Sequence, residues 1–278
     1  MKEVSETLFR EKLKNAIVEA SFNLREDIKE YFQELLKKID NDNYKQVVSF
    51  FIENFSIAFN EKRALCQDTG YVEIFFEIGQ DVHIGFDLKK TCEDAVKEVY
   101  EKYYLRKSLA DPLTKENTKN NLPVFFDFDF VKGDRLKVVV LLKGGGSENA
   151  TRILSLNPSY RLNEIEEKIV DSFKEIGSKA CPPYIAGICI GANFEKALNI
   201  SKKLLLYKIS ENPMSKTEYR IAKELKEKIN LLGIGFGGLK FGETLIDLKL
   251  KIVPSHIATL PVAISIGCNS VRQASFEL

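Results

Sequence analysis

Residues 136–149 read LKVVVLLKGGGSEN. The valine-rich run has the composition of a buried β-strand, and it delivers the chain directly into Gly144-Gly145-Gly146. Three consecutive glycines can take positive φ and present several backbone N–H groups to an anion with no side chain in the way. A flexible linker seldom follows so apolar a strand. The stretch therefore predicts a ligand-facing loop at the end of a core strand, with Lys143 and Asn149 placing a cation and an amide beside it. It is not a P-loop, because the GxxxxGK[ST] spacing is absent.

Working outward, PVFFDFDFV (123–131) reads as a strand paired with 136–143 across Lys132-Gly133-Asp134. YVEIFFEIGQDVHIGFDL (71–88) resembles a hairpin about Gly79-Gln80-Asp81. A helix follows over about 90–104, then a polar loop, SLADPLTKENTKNNLP, at 108–123. Ahead of these, residues 5–61 carry apolar positions at helical spacing and predict two or three amphipathic helices. Downstream, helices are predicted at 161–177, through GANFEKALNISKKLLLYK, and at 215–230, while TLIDLKLKIVP and LPVAISIGC return to strand patterning. Helices and strands interleave without a βαβ rhythm. The expected class is α+β, with mixed sheets flanked by helices, in one domain over 1–278: a helical lead-in at 1–61 and a core at 62–278.

Composition narrows the function. With 41 basic and 40 acidic residues the net charge is +1, so no global field favours nucleic acid or an anionic membrane. No apolar run approaches the roughly 20 residues of a membrane helix, and MKEVSETLFREKLKNAI is too polar for a signal peptide, so the expected location is the cytoplasm. Five cysteines without a CxxC pair argue against a disulfide framework or a short zinc finger.

Three cysteines adjoin turn-forming residues: Cys66 precedes QDTG, Cys181 precedes Pro182-Pro183, and Cys268 precedes Asn269-Ser270. Such positions let distant segments aim soft thiolates at one iron-sulfur or zinc centre; inert or singly reactive thiols are the alternative. Cys92, in a helical pattern, and Cys189, in the apolar run IAGICIG, read as small core residues. GIGFGG (233–238) matches GxGxxG in form, but it follows the helix-like KELKEKINLL, which argues against a dinucleotide site. His256, between two strand-like runs, can bind a carboxylate or move a proton. Arg106, where a helix closes, serves its helix dipole unless a ligand claims it.

Taken in order, LCQDTG, LRKSLADPL with ENTKNNLP, KGGGSEN, ACPP with IAGICIG, and HIATLPVAISIGC resemble the catalytic-domain half of the class I, iron-sulfur fumarate hydratases and L-tartrate dehydratases, from about residue 62 onward. The resemblance implies that Cys66, Cys181 and Cys268 hold a 4Fe–4S cluster with one iron not ligated by protein. It implies substrate contacts from Gln67, Arg106, Gly145 and His256, and a catalytic acid at Asp68. Long members carry a second domain that closes over the cluster, whereas this sequence ends at Leu278, soon after Cys268. The implied protein is thus an α subunit whose active site a separate β subunit completes, in an α2β2 assembly that hydrates fumarate to L-malate. Tartrate dehydration is the nearest alternative, and a non-catalytic iron-sulfur or zinc protein or a redox sensor the more distant one; Gln67, Asp68, Arg106 and His256 together favour catalysis. Cys189 within GICIGAN and Phe236 in GIGFGG depart from the family's usual residues.

Overall fold

The computed structural model describes Met1–Leu278 and is mixed α and β, as expected. The chain divides into two compact units. The first comprises Met1–Lys29, Phe51–Gly145 and Ser270–Leu278; the second comprises Glu30–Phe50 and Gly146–Asn269. No helix is long and apolar enough to cross a membrane.

The lead-in is helical after a two-residue strand, β1 (Lys2–Glu3), with α1 (Glu6–Phe22), α2 (Glu26–Lys38) and α3 (Asp42–Glu61). Ser5 caps α1 by accepting from the Leu8 N–H, which satisfies one of the donors a helix start leaves open. In the first unit these lead to β2 (Tyr71–Gly79), β3 (Val82–His83), α4 (Leu88–Lys102), β4 (Phe125–Val131) and β5 (Leu136–Lys143). The chain returns at its end with β10 (Arg272–Glu277). The sheet order is β10-β5-β2-β4. Its core side chains, Val72, Ile74 and Phe76 with Val138 and Val140, pack on Phe9, Leu13 and Ile17 of α1 and Val96 and Tyr100 of α4.

This order corrects two expectations. β4 and β5 do not pair; β2 lies between them, parallel to β4 and antiparallel to β5. Nor do β2 and β3 form a hairpin, since β3 pairs with β1. The strand buried along most of its length takes the centre, while β4, with Phe125, Phe128 and Phe130 exposed, takes the edge. Lys132–Arg135 then bridges two strand spacings, about 9.6 Å, by arching over the end of β2. Gly79 donates to Arg135 O at 2.9 Å, and a Cβ on Gly79 would lie 2.3 Å from Gly133 O. Only glycine lets that arch close.

The second unit holds all but the first residue of a one-turn helix α5 (Gly145–Asn149), then β6 (Arg152–Leu156), α6 (Leu162–Ile176), β7 (Tyr184–Gly191), α7 (Phe194–Lys203), α8 (Lys216–Asn230), β8 (Leu245–Val253) and β9 (Leu260–Gly267). Its sheet order is β6-β9-β7-β8. Every residue of β7 is buried, so its sequence shows no alternation. On one face Ala186, Ile188 and Ile190 meet Ile169 and Phe173 of α6 and Ile221 and Leu225 of α8. On the other, Cys189 and Ala263 pack with Ala197 of α7, and Ser201 bonds Ser265 at 2.8 Å. The small residues there let α7 lie close to the strands. Neither β6 nor β10 was expected from the local pattern.

Candidate active site

The first unit builds a carboxylate cradle from the QDTG turn. Gly70 has φ of +76°, and a Cβ there would lie 2.3 Å from Lys143 O, so glycine is required where the turn meets the end of β5. The turn places the Asp68 carboxylate among three donors: Gly70 N–H (3.1 Å) and Ser108 Oγ (3.0 Å) to Oδ1, and Gly145 N–H (2.6 Å) to Oδ2. Burial alone would raise this carboxyl, but the hydrogen bonds from Gly145, Ser108 and Gly70, helped by the Arg272 charge, hold it below its ordinary value. It is therefore a carboxylate at neutral pH.

Two side chains fix the cradle to its surroundings. Asn121 is fully buried; its Oδ1 accepts from Ser108 N–H (2.7 Å) and Leu109 N–H (3.3 Å), and its Nδ2 donates to Gly70 O (3.1 Å). Thr69 Oγ1 donates to Arg106 O. The LRKS segment is thereby stapled to the QDTG turn. Beneath it, the buried Tyr100 hydroxyl donates to Gly70 O (3.3 Å) and Thr69 O (3.4 Å), and burial pushes its pKa up to about 12.

Of the residues singled out in sequence, Cys66 and Asp68 are half-buried here, while Gln67, Arg106 and Gly145 are exposed. The glycine stretch departs from expectation. Gly144, Gly145 and Gly146 are absent from the positive-φ positions and lead into α5, and the Gly145 N–H is directed to Asp68. What Gly144 supplies is room, since a Cβ on it would lie 3.1 Å from Asp68 Oδ2. Lys143 is 3% exposed rather than a surface cation.

The second unit gathers the other two turn cysteines. Cys181 has φ of +55° and precedes a cis Pro182-Pro183 bond. Its carbonyl accepts from both Asn269 N–H (3.2 Å) and Asn269 Nδ2 (3.1 Å), which ties the Cys181 turn to the residue after Cys268. Burial, above all, raises the Tyr184 hydroxyl to about 12, and the Cys181 and Cys268 thiols both act on it electrostatically. Cys181 is exposed and Cys268 half-buried. Burial raises the Cys92 thiol strongly and the Cys189 thiol to about 11, so those two are protonated core residues, as their local patterns suggest. Cys66, Cys181 and Cys268 are thus accessible, as a thiolate ligand must be, and Cys92 and Cys189 are not. Nowhere do three His, Cys, Asp or Glu side chains stand close enough to hold a metal ion; the pair that is gathered is Cys181 with Cys268.

His256 is not brought to that pair. It lies in the exposed β8–β9 connection, where its Nδ1 accepts from Ala258 N–H at 3.2 Å, beside the carboxyl end of β7. Cys268 follows the other end of β9, next to Ile185 at the start of β7. The eight residues of β9 separate the two by about 24 Å. GIGFGG forms successive turns that seat the buried Phe236 against Phe32 and Tyr44. Ser108, Asn121 and Arg272 were not singled out in sequence. The first two sit in the LRKSLADPL and Asn-rich segments, but Arg272 carries no local signal.

The family model for fumarate hydratase (Fumerase) matches residues 10–277. A Methanocaldococcus jannaschii protein bearing the provisional name L(+)-tartrate dehydratase subunit alpha is 36% identical over 263 residues, covering 92% of each chain. The anaerobic class I fumarate hydratase of Escherichia coli is 30% identical over 278 residues, covering 95% of this chain but 50% of that enzyme. The L(+)-tartrate dehydratase subunit alpha of Escherichia coli is 25% identical over 263 residues, covering 86% of its length. This chain thus spans nearly the whole of the relatives named as subunits and about half of the long fumarate hydratase.

Proposed function

Because this chain belongs to the fumarate hydratase family, a family of hydro-lyases, we propose that it is the α subunit of an iron-sulfur enzyme that reversibly hydrates fumarate to L-malate with a separate β chain. The observation that carries the reading is the Asp68 carboxylate, held by three donors two residues after the accessible Cys66. A plain turn has no use for an ionised group so firmly aimed.

In this reading Cys66, Cys181 and Cys268 would hold a 4Fe–4S cluster. Bound there, it would supply a Lewis acid for the substrate's hydroxyl and carboxylate. Asp68 accepts a proton from water during hydration, the direction for which its ionised form is ready; in dehydration it returns that proton to the departing hydroxyl. Arg106, exposed beside the turn, offers a bidentate fork to a substrate carboxylate, and the Gln67 amide adds a neutral contact. Gly145 contributes through its N–H on Asp68. A group on the β chain handles the proton at the adjacent carbon.

His256 enters this scheme only from a second chain, given its distance from Cys268. Mixing an inactive His256→Ala α chain with an inactive Cys181→Ser α chain should then restore part of the turnover; no recovery removes His256 from the site.

The test of the main reading is anaerobic reconstitution of the chain with its β partner, followed by comparison of fumarate, L-malate, L-tartrate and mesaconate turnover. Assembly of the cluster without reaction of any of them sinks the assignment. The tartrate reading is favoured by the 36% identity to the provisionally named tartrate dehydratase subunit, and a higher kcat/KM for tartrate than for malate would establish it. Asp68→Asn should retain iron and lose turnover, while Cys66→Ser should lose both.

A further inference from the structure

Arg272 opens β10 and is 3% exposed. A guanidinium is always charged and carries five donors, so the interior is a costly place for it without an answering anion. Its Nε is enclosed and has no hydrogen-bond partner. A Cβ on Gly144 would stand 3.1 Å from Asp68 Oδ2 and 3.2 Å from Arg272 Nη2. Asp68 Oδ2 and Arg272 Nη2 therefore both border the space over Gly144 that a side chain there would fill.

The donors that touch Asp68, two backbone amides and a serine hydroxyl, are neutral. They fix where its oxygens lie but bring no charge. We propose that Arg272 is a positioning residue for Asp68, the buried cation that balances the carboxylate and keeps it turned toward Gly144 and Gly145. It acts through Asp68, not on substrate. The proposal deepens the hydro-lyase reading and rests on it for the kinetic part of its test.

Arg272→Gln keeps much of the side-chain volume and its polarity while removing the charge. In the chain assembled with its β partner and reconstituted anaerobically, the expected result is a kcat lowered by about 10–100-fold, the range for residues that support a catalytic group from behind, with KM within about twofold. Arg272→Lys, which retains the cation, should recover much of the loss. On an Asp68→Asn background, whatever residual turnover is left should fall no further with Arg272→Gln, because the group it serves is gone.

A second readout does not depend on turnover. In denaturant unfolding of the full chain, the loss in Asp68→Asn plus Arg272→Gln should be clearly smaller than the two single losses combined. A raised KM with unchanged kcat would make Arg272 a substrate ligand and overturn the proposal, as would wild-type kinetics in Arg272→Gln or strictly additive unfolding. If the unsubstituted complex converts no dicarboxylate, the hydro-lyase reading fails, and the unfolding cycle still decides whether Arg272 and Asp68 are coupled. Should Arg272→Gln fail to fold, Arg272→Met, which also removes the charge and keeps much of the side-chain volume, carries both measurements with the same expected and overturning results.

Discussion

Asn121 offers the sharpest test of how the site is held. It is fully buried at φ of +59°, accepts from the Ser108 and Leu109 amides, and donates to Gly70 O. Asn121→Ala strips both amides of their acceptor; each buried group left unsatisfied costs about 1–3 kcal/mol, with the longer Leu109 bond at the lower end. Gly70 O loses less, because the Tyr100 hydroxyl still reaches it at 3.3 Å. Alanine also tolerates positive φ worse than asparagine, by about 1 kcal/mol. The sum is about 3–5 kcal/mol, a large part of the roughly 5–15 kcal/mol that holds a typical domain folded. Asn121→Asp keeps the acceptor for both amides and should lose about 1–2 kcal/mol. Asn121→Gly loses the hydrogen bonds but not the backbone fit, so it should fall between the two. Urea unfolding of the three variants at neutral pH measures this order. If alanine proves no worse than glycine, or if all three stay within about 0.5 kcal/mol of wild type, the staple does not bear the weight assigned to it.

Three further outcomes are expected. In the native, cluster-free chain at pH 8, a thiol-alkylating reagent read by peptide mass mapping should modify Cys66, Cys181 and Cys268 and spare the buried Cys92 and Cys189; fast labelling of Cys189 would contradict its place between α7 and the sheet. Glu218 is buried, which alone would raise its carboxyl, yet bonds from Ile252 and Ser215 with the Lys251 charge lower it. A depressed folded value stabilises above the unfolded pKa of about 4.3 and is lost as pH falls through the folded one, so the stability gap between wild type and Glu218→Gln should close on acidification; a gap that widens refutes this sign. Gly79→Val, which would drive a Cβ to 2.3 Å from Gly133 O, should cost at least about 1–3 kcal/mol by overpacking, and thermal stability equal to wild type would mean the arch over β2 is easily moved.

Much was legible because it is local. The amphipathic spacing of α6 and α8, the apolar run of β7 and the turn chemistry around three of the cysteines each express themselves within a few neighbouring residues. The Asp68 turn was found in the same way, since Cys66-Gln67-Asp68-Thr69-Gly70 carries its own punctuation. Strand pairing was not legible. β4 and β5 read as partners because only Lys132–Arg135 lies between them, and nothing in either segment announces that β2, more than 45 residues before β4, takes the place between them.

The division follows from the range of the forces. By itself the sequence determined most of the helices, several of the strands, which thiols stand at turns and which carboxylate follows a cysteine, because backbone preferences and side-chain periodicity act over neighbours; β1, β6 and β10 carry no such local signal. Only the tertiary structure decided that the glycines after β5 receive Asp68, that Asn121 staples Ser108 to Gly70, that His256 stands a strand length from Cys268, and that the buried Arg272 borders Gly144 together with Asp68. Most of those relations depend on burial and on hydrogen bonds between residues far apart in the chain. Their energies are set once the sheets have assembled, and even Ser108 with Asn121 and His256 with Cys268, each pair within one stretch of sequence, take their places from the strands and turns around them.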